Sequence, residues 1–298
     1  MEKIKLTDAL KSTTMFLVDN EVEIAMEKQI VDTIKLYQQK MLGIGTKEGL
    51  AKFIRSNKES IYMIETLLGI SGEKLKRVVS MIRLKQGYTF DSEWSEEKIQ
   101  KELSQKTSMM DEFCDLFING KNMESYQDFI PGFILQDFKI DADTLGRLAN
   151  EDFLRFLIKS RLIATYSAKY SHSYDKAIAD VILPYTNSVG LSYFPTILQS
   201  VSSTVCYIIT DNSRRIIINF SFLSTTSNSQ NKYWKDHISP VYKESRNDVD
   251  TIVINILDGA GWIGRSNAYK SIYYDCDYFL NLNNLDKIKT IINEFFNI

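Results

Sequence analysis

Two stretches hold the residues with the clearest chemical use. Between Ser71 and Lys85 stand Lys74, Lys76, Arg77, Arg83 and Lys85 against one acid, Glu73: five basic groups to one, a local charge of +4. On one helix they would offer cations to phosphates and donors to base edges. The second stretch is Asp258-Gly259-Ala260-Gly261-Trp262-Ile263-Gly264-Arg265, where three glycines follow the apolar run Thr251–Leu257. Backbone there can bend sharply and present amides. It lacks the GxxxxGK[ST] pattern of a phosphate-binding loop, and its Gly-x-Gly has no matching acid downstream for a dinucleotide. A strand-to-helix turn with Trp262 packed over it is the plainer reading.

Other chemistries are thinly supplied. The two histidines, His172 and His237, stand in no His-Glu-x-x-His and beside no Gly-x-Ser-x-Gly. That argues against a zinc hydrolase or a histidine-based triad. The three cysteines, Cys114, Cys206 and Cys276, are far apart and form no Cys-x-x-Cys, so they signal neither a disulfide framework nor a zinc site.

The elements that must position these residues change character along the chain. The first 130 residues contain no proline, and their apolar residues recur at helical spacing, as in Leu50, Phe53, Ile54, Ile61, Ile64, Leu67 and Leu68. Ser71 can cap a helix to Lys85 that buries Leu75, Val78, Val79 and Ile82, and Ser95 can cap the next, to Lys106. With the helix over 58–68 and the turn Gly69-Ile70-Ser71-Gly72, the first of these predicts a helix-turn-helix. A solvated helix in an ordinary bundle is the alternative. Further helices are expected at 109–119, 123–137, 150–168 and 174–188. Beyond residue 200, Thr204–Thr210 and Arg214–Phe222 predict a hairpin around Asp211-Asn212-Ser213. A helix at 231–246, a buried strand at Thr251–Leu257, a helix at 266–274, a strand at 276–280 and a helix at 285–296 follow. The expected class is α+β or α/β: a helical part, 1–150, and a mixed sheet flanked by helices, 151–298, with a soft boundary over 140–170.

Composition bounds the function. The chain has 298 residues with 36 Lys+Arg against 38 Asp+Glu, a formal charge of −2. Hydrophobic residues at 44% and charged ones at 25% are ordinary for a folded soluble protein. No apolar run reaches the roughly 20 residues of a membrane span, and the first residues lack a secretory apolar region, so a cytoplasmic protein without a membrane partner is expected. Near-neutrality excludes a grossly basic nucleic-acid binder but not a local basic face.

From the hairpin onward, residues 170–298 resemble the MboI/DpnII-type restriction endonucleases. Asn219-Phe220-Ser221 is similar to that family's Asn-Phe element, and Ser224–Ser229 to its serine-rich stretch. Asp258-Gly259-Ala260-Gly261-Trp262 fits the Asp-Gly-x-Gly-Trp element, Arg265-Ser266-Asn267 the basic segment, and Asp277–Leu285 the closing strand and helix. The resemblance implies a PD-(D/E)XK fold and a site-specific endonuclease acting on double-stranded DNA. Such an enzyme holds Mg²⁺ with two carboxylates and activates a water. The sequence departs from the family at the decisive place. Ile217 stands where the second-strand Glu belongs, Cys206 or Tyr207 stands where the first-strand Asp belongs, and Arg214–Phe222 contains no Asp, Glu or Lys.

Three functions follow from that conflict. In the first, the chain is a type II restriction subunit with a degenerate nuclease centre. It recognises DNA through Lys74, Lys76, Arg77, Arg83, Lys85 and Arg265, binds no metal itself, and works beside a second nuclease subunit that cleaves with Mg²⁺. In the second, it is an active Mg²⁺-dependent homodimer with migrated acids, whose candidate catalytic residues are Asp175, Asp180, Asp211, Asn219 and Asp258. In the third, it is a non-catalytic protein-interaction module.

Overall fold

The structure is a computed structural model and describes residues 2–197, 205–224 and 229–298. Most of the serine-rich element at 224–229 lies outside the described residues. The chain forms two units, one of Glu23–Ala164 and one of the residues up to Val22 together with Thr165–Ile298.

The first helix, α1 (Leu6–Lys11), belongs to the second unit, and α2 (Asn20–Lys40) leads into the helical unit. There follow α3 (Lys47–Ser56), α4 (Ser60–Leu68), α5 (Gly72–Lys85), α6 (Glu96–Gln105), α7 (Thr107–Asn119), the short α8 (Glu124–Gln127) and α9 (Gly132–Leu135), and α10 (Ala142–Ala149). Local chemistry sets many of these ends. The Ser71 and Ser95 hydroxyls accept from Lys74 N at 3.2 Å and Lys98 N at 3.3 Å, as N-caps do. Gly69, left-handed at φ 67, ends α4: its amide donates to Thr66 O and that of Ile70 to Glu65 O. That paired closure is why the α4–α5 turn is so short. Leu50, Ile54, Ile64, Leu75, Ile82, Leu103, Phe113 and Phe117 fill one continuous core. The expected helix over 123–137 is broken instead. Pro131 has no amide to continue α8 and caps α9.

The stretches expected as separate helices at 150–168 and 174–188 are one helix, α11 (Glu151–Ser188), capped by Asn150, which accepts from Phe153 N at 3.0 Å. The sheet unit then runs β1 (Ser192–Ile197), β2 (Val205–Thr210), β3 (Arg215–Phe222), α12 (Ser229–Tyr233), a π-helical turn (Trp234–Ile238), α13 (Ser239–Ser245), β4 (Thr251–Asp258), α14 (Ala260–Ile263), α15 (Ser266–Tyr274), β5 (Tyr278–Leu280) and α16 (Lys287–Phe296). Strand order is β1-β2-β3-β4-β5; β1, β2 and β3 pair antiparallel, while β3–β4 and β4–β5 pair parallel. Strand β1 was not foreseen, because Pro195 sits inside it; the strand lies at the sheet edge, where proline is tolerated.

Alternation splits β3 between two apolar layers. Ile216 and Ile218 pack with Tyr174, Ile178 and Ile182 of α11 and with Ile288, Ile291 and Ile292 of α16. Ile217 faces the other layer, with Cys206, Val253, Leu257, Ile238, Val241 and Trp262. Ala9 of α1 joins that second layer, which is why the first residues belong to the sheet unit and not to the helical part expected over 1–150. Among the described residues no helix is long and apolar enough to cross a membrane.

Candidate functional site

Of the hairpin positions expected to carry metal-binding acids, Tyr207 is half-buried and stacks on Phe220 at 4.8 Å, and the other two are core. Cys206 and Ile217 are each 2% exposed, on the layer with Val253, Leu257 and Trp262. Asn219, two residues further along β3, is also buried, and its amide donates to Asn255 Oδ1 at 2.9 Å on the neighbouring strand. Asn255 in turn donates to Ile272 O and Asp275 O, both at 3.0 Å. The side-chain pair thus ties β3 to β4 and β4 to α15, a satisfied polar link inside an apolar layer. These donors do not fit Mg²⁺, which takes oxygen ligands from carboxylates and water. Among the described residues no group of three or more His, Cys, Asp or Glu is placed to hold a metal.

The other candidate acids are scattered. Asp211 sits in the β2–β3 turn, where its Oδ1 accepts from Ser213 N, Ser213 Oγ and Arg214 N at 2.9, 2.8 and 2.7 Å. Those bonds, led by the Arg214 amide, hold its carboxyl down at about 2. Asp258 ends β4 opposite Phe222, whereas the Asp211 turn precedes Arg215 at the far end of the same strand pair. Seven strand steps put those ends roughly 23 Å apart, so the two acids cannot share a metal. Asp180 is exposed on α11. Asp175, also on α11, is half-buried, and among the described residues it has no hydrogen-bond partner. Burial raises its carboxyl, and its charge acts on Tyr193, Tyr207 and Tyr233.

Asp258 is a fastening. It is fully buried; Oδ1 accepts from Thr14 N and Oδ2 from Leu282 N, both at 2.6 Å. Burial pushes its carboxyl up to about 6 against the pull of those two amides. The glycine turn behind it is equally committed. Gly259 N, Ala260 N and Gly261 N donate to Thr14 O at 2.9 Å, Met15 O at 3.2 Å and Leu223 O at 2.8 Å. Gly259 takes φ +106, and a Cβ there would lie 2.2 Å from Leu223 O, so glycine is required. These amides have no spare donor for a phosphate, and Trp262 is buried beside them.

In the helical unit the basic residues of α5 all have other partners. Lys74 pairs with Asp137 at 2.7 Å, Lys76 with Glu96 at 3.5 Å, Arg77 with Glu73 at 3.3 Å and Lys85 with Glu112 at 2.8 Å. Arg83 corrects the expectation placed on it. Its side chain is 1% exposed, its guanidinium lies 3.8 Å from the Trp94 ring centroid, and it donates to Ser92 O and Thr89 O at 2.8 and 2.9 Å. Such a group has no surface to give a phosphate. Arg265, in the sheet unit, is half-buried and already partnered.

Sequence reasoning missed the buried acid of the same region. Glu65 of α4 is 1% exposed; Arg161 Nη2 approaches its Oε2 at 3.9 Å, and its Oε1 has no partner. A Cβ on Gly72 would meet Glu96 Oε1 at 3.0 Å and both Glu65 oxygens at 3.4 Å, so two carboxylates flank the start of α5. Burial, reinforced by Glu96, lifts Glu65 to about 7, while Arg161 and Lys76 oppose the shift. The missed signal was its spacing. Glu65 stands four residues after Ile61, on the apolar stripe, as Arg83 stands four after Val79.

Comparison with family models, curated proteins and solved structures finds no match to this chain.

Proposed function

We propose that the chain is the recognition subunit of a type II restriction endonuclease. It binds double-stranded DNA site-specifically and leaves Mg²⁺-dependent cleavage to a partner subunit. One observation carries this reading. The elements run in the order that the MboI/DpnII resemblance implies, from hairpin through helix, strand ending in Asp258, helix and strand to a final helix, while Ile217 and Cys206 or Tyr207 stand at the acid positions, packed in apolar layers. A restriction-endonuclease-like sheet kept without its acids suits a domain retained as scaffold and DNA clamp. The migrated-acid alternative lacks a second free carboxylate beside Asp175. Asp180 lies about 140° round α11 from Asp175, Asp211 is locked in its turn, and both Asp258 oxygens are taken.

Phosphate contacts in this reading come from Lys74, Lys76, Arg77 and Lys85, without Arg83. Surface ion pairs of this kind are worth about 0–1 kcal/mol, so exchanging their carboxylates for phosphates costs little. Binding of labelled duplexes at low salt, with and without Mg²⁺, tests the proposal. Site-specific binding without cleavage is the expected result. Cleavage by the purified chain alone would remove the degenerate-subunit reading, and absence of binding at low salt would remove DNA recognition itself.

A further inference from the structure

A cavity of about 330 Å³ opens within the helical unit between α2, α4 and the first turns of α11. Its walls combine apolar groups, Leu36, Met63, Ile158 and Leu162, with Gln29, Thr33, Tyr37, Tyr62, Thr66 and Arg161. Two polar groups of the wall are almost fully buried, Thr66 and Tyr37. Tyr37 is 2% exposed, and its hydroxyl is buried without a hydrogen-bond partner. A buried hydroxyl left without a partner carries a desolvation cost that a ligand atom would relieve.

The remaining groups narrow the ligand. Thr33 and Thr66 donate to Gln29 O and Tyr62 O at 2.7 and 2.9 Å, so each wall hydroxyl has its proton committed and only acceptor capacity left. Arg161 uses Nη2 on Ile70 O and Glu65, leaving Nη1 and Nε as donors. Its guanidinium lies 5.6 Å from the Tyr62 ring, which is 38% exposed. The one cation of the wall is balanced by the exposed carboxylate of Glu59. Charge balance disfavours a strongly ionic guest. A ring face, a guanidinium plane, apolar walls and mixed donors and acceptors suit a flat, neutral heterocycle with polar edges. From these contacts we infer that the cavity binds a nucleobase, with Tyr62 as the stacking surface and Tyr37, Gln29 and the threonines reading its edge. The base can come from a free nucleoside or from an extrahelical position in a duplex. This inference does not rest on the restriction-subunit reading.

Calorimetric titration of the full chain with adenosine, guanosine, cytidine and thymidine, each to its solubility limit, tests the first source. Fluorescence of a duplex in which 2-aminopurine faces an abasic site tests the second. At least one arm is expected to show saturable binding, weakened about fivefold by Tyr37→Phe and about tenfold by Tyr62→Leu. Thermal melts and Gln29→Leu, at a half-buried position, guard against loss of fold. The inference fails if neither arm binds, or if both variants bind as the wild type does. Ordinary duplexes bound equally by wild type and variants, with no nucleobase binding, would leave the DNA reading standing and remove this one. Nucleoside binding without any duplex binding would do the reverse.

Discussion

Each unit buries one carboxylate almost completely, and the two are held in opposite ways. Asp258 of the sheet unit gives each oxygen a backbone amide at 2.6 Å. Glu65 of the helical unit has an unpartnered Oε1, a guanidinium 3.9 Å from Oε2, and a second carboxylate across Gly72. Burial raises both, to about 6 and about 7. A carboxylate with directed hydrogen bonds is a fastening whose removal strands its donors. One held by neighbouring charges is a site that gains or loses a proton near neutrality.

The sharpest way to break that contrast is to delete the fastening. Asp258→Ala leaves the Thr14 and Leu282 amides buried without acceptors and should cost about 3 kcal/mol or more, by denaturant unfolding. Asp258→Asn keeps one acceptor and should cost less. Equal, small losses for both would mean that the clamp is unimportant. Arg83→Ala comes next, because Arg83 is a buried cation of the helical unit whose two terminal nitrogens are held by backbone carbonyls, as the Asp258 oxygens are held by amides. Removing its two carbonyl bonds and its contact with Trp94 should cost about 2–3 kcal/mol.

Glu65→Gln should show an effect of the opposite sign that depends on pH. Folding raises this carboxyl from 4.5 to about 7, so the native state holds the proton more tightly than the unfolded chain across that window. Wild-type stability therefore falls as pH rises from 4.5 to 7 and levels off above. The glutamine variant lacks that slope. It should exceed the wild type at pH 8 by at most about 3 kcal/mol, and the difference should shrink toward pH 4.5. A variant equally destabilised at both pH values would make Glu65 a fastening after all.

What the sequence made legible was local. Ser71 and Ser95 announced helix starts, and the apolar run at Thr251–Leu257 announced the central strand, because caps and periodicity act over a few residues. The absence of acids on Arg214–Phe222 was equally readable, since it needs only strand alternation. Long-range placement was hidden. Nothing near Thr14 indicates that its amide meets Asp258, 244 positions away. Nothing in α5 reveals that Asp137 and Glu112, both far along the chain, pair with its lysines. Charge counted along one helix overstated its free basicity, because the neutralising acids arrive from other elements.

That neutralisation makes Arg77 the most useful residue of α5 to test. Its side chain is 70% exposed, and its ion-pair partner is Glu73 on the same helix, itself 77% exposed. Such a pair is screened by water and contributes little to folding. Arg77→Ala should therefore leave stability within about 0.5 kcal/mol of wild type. If α5 meets phosphates, the same substitution should lower the salt slope of DNA affinity by about 1, with a uniform loss across sequences. Arg83→Ala, restudied at a temperature where it is fully folded, should leave the slope unchanged, because a buried guanidinium releases no counterion. A slope altered by Arg83→Ala but not by Arg77→Ala would invert the assignment and mean that α5 presents a different face to DNA.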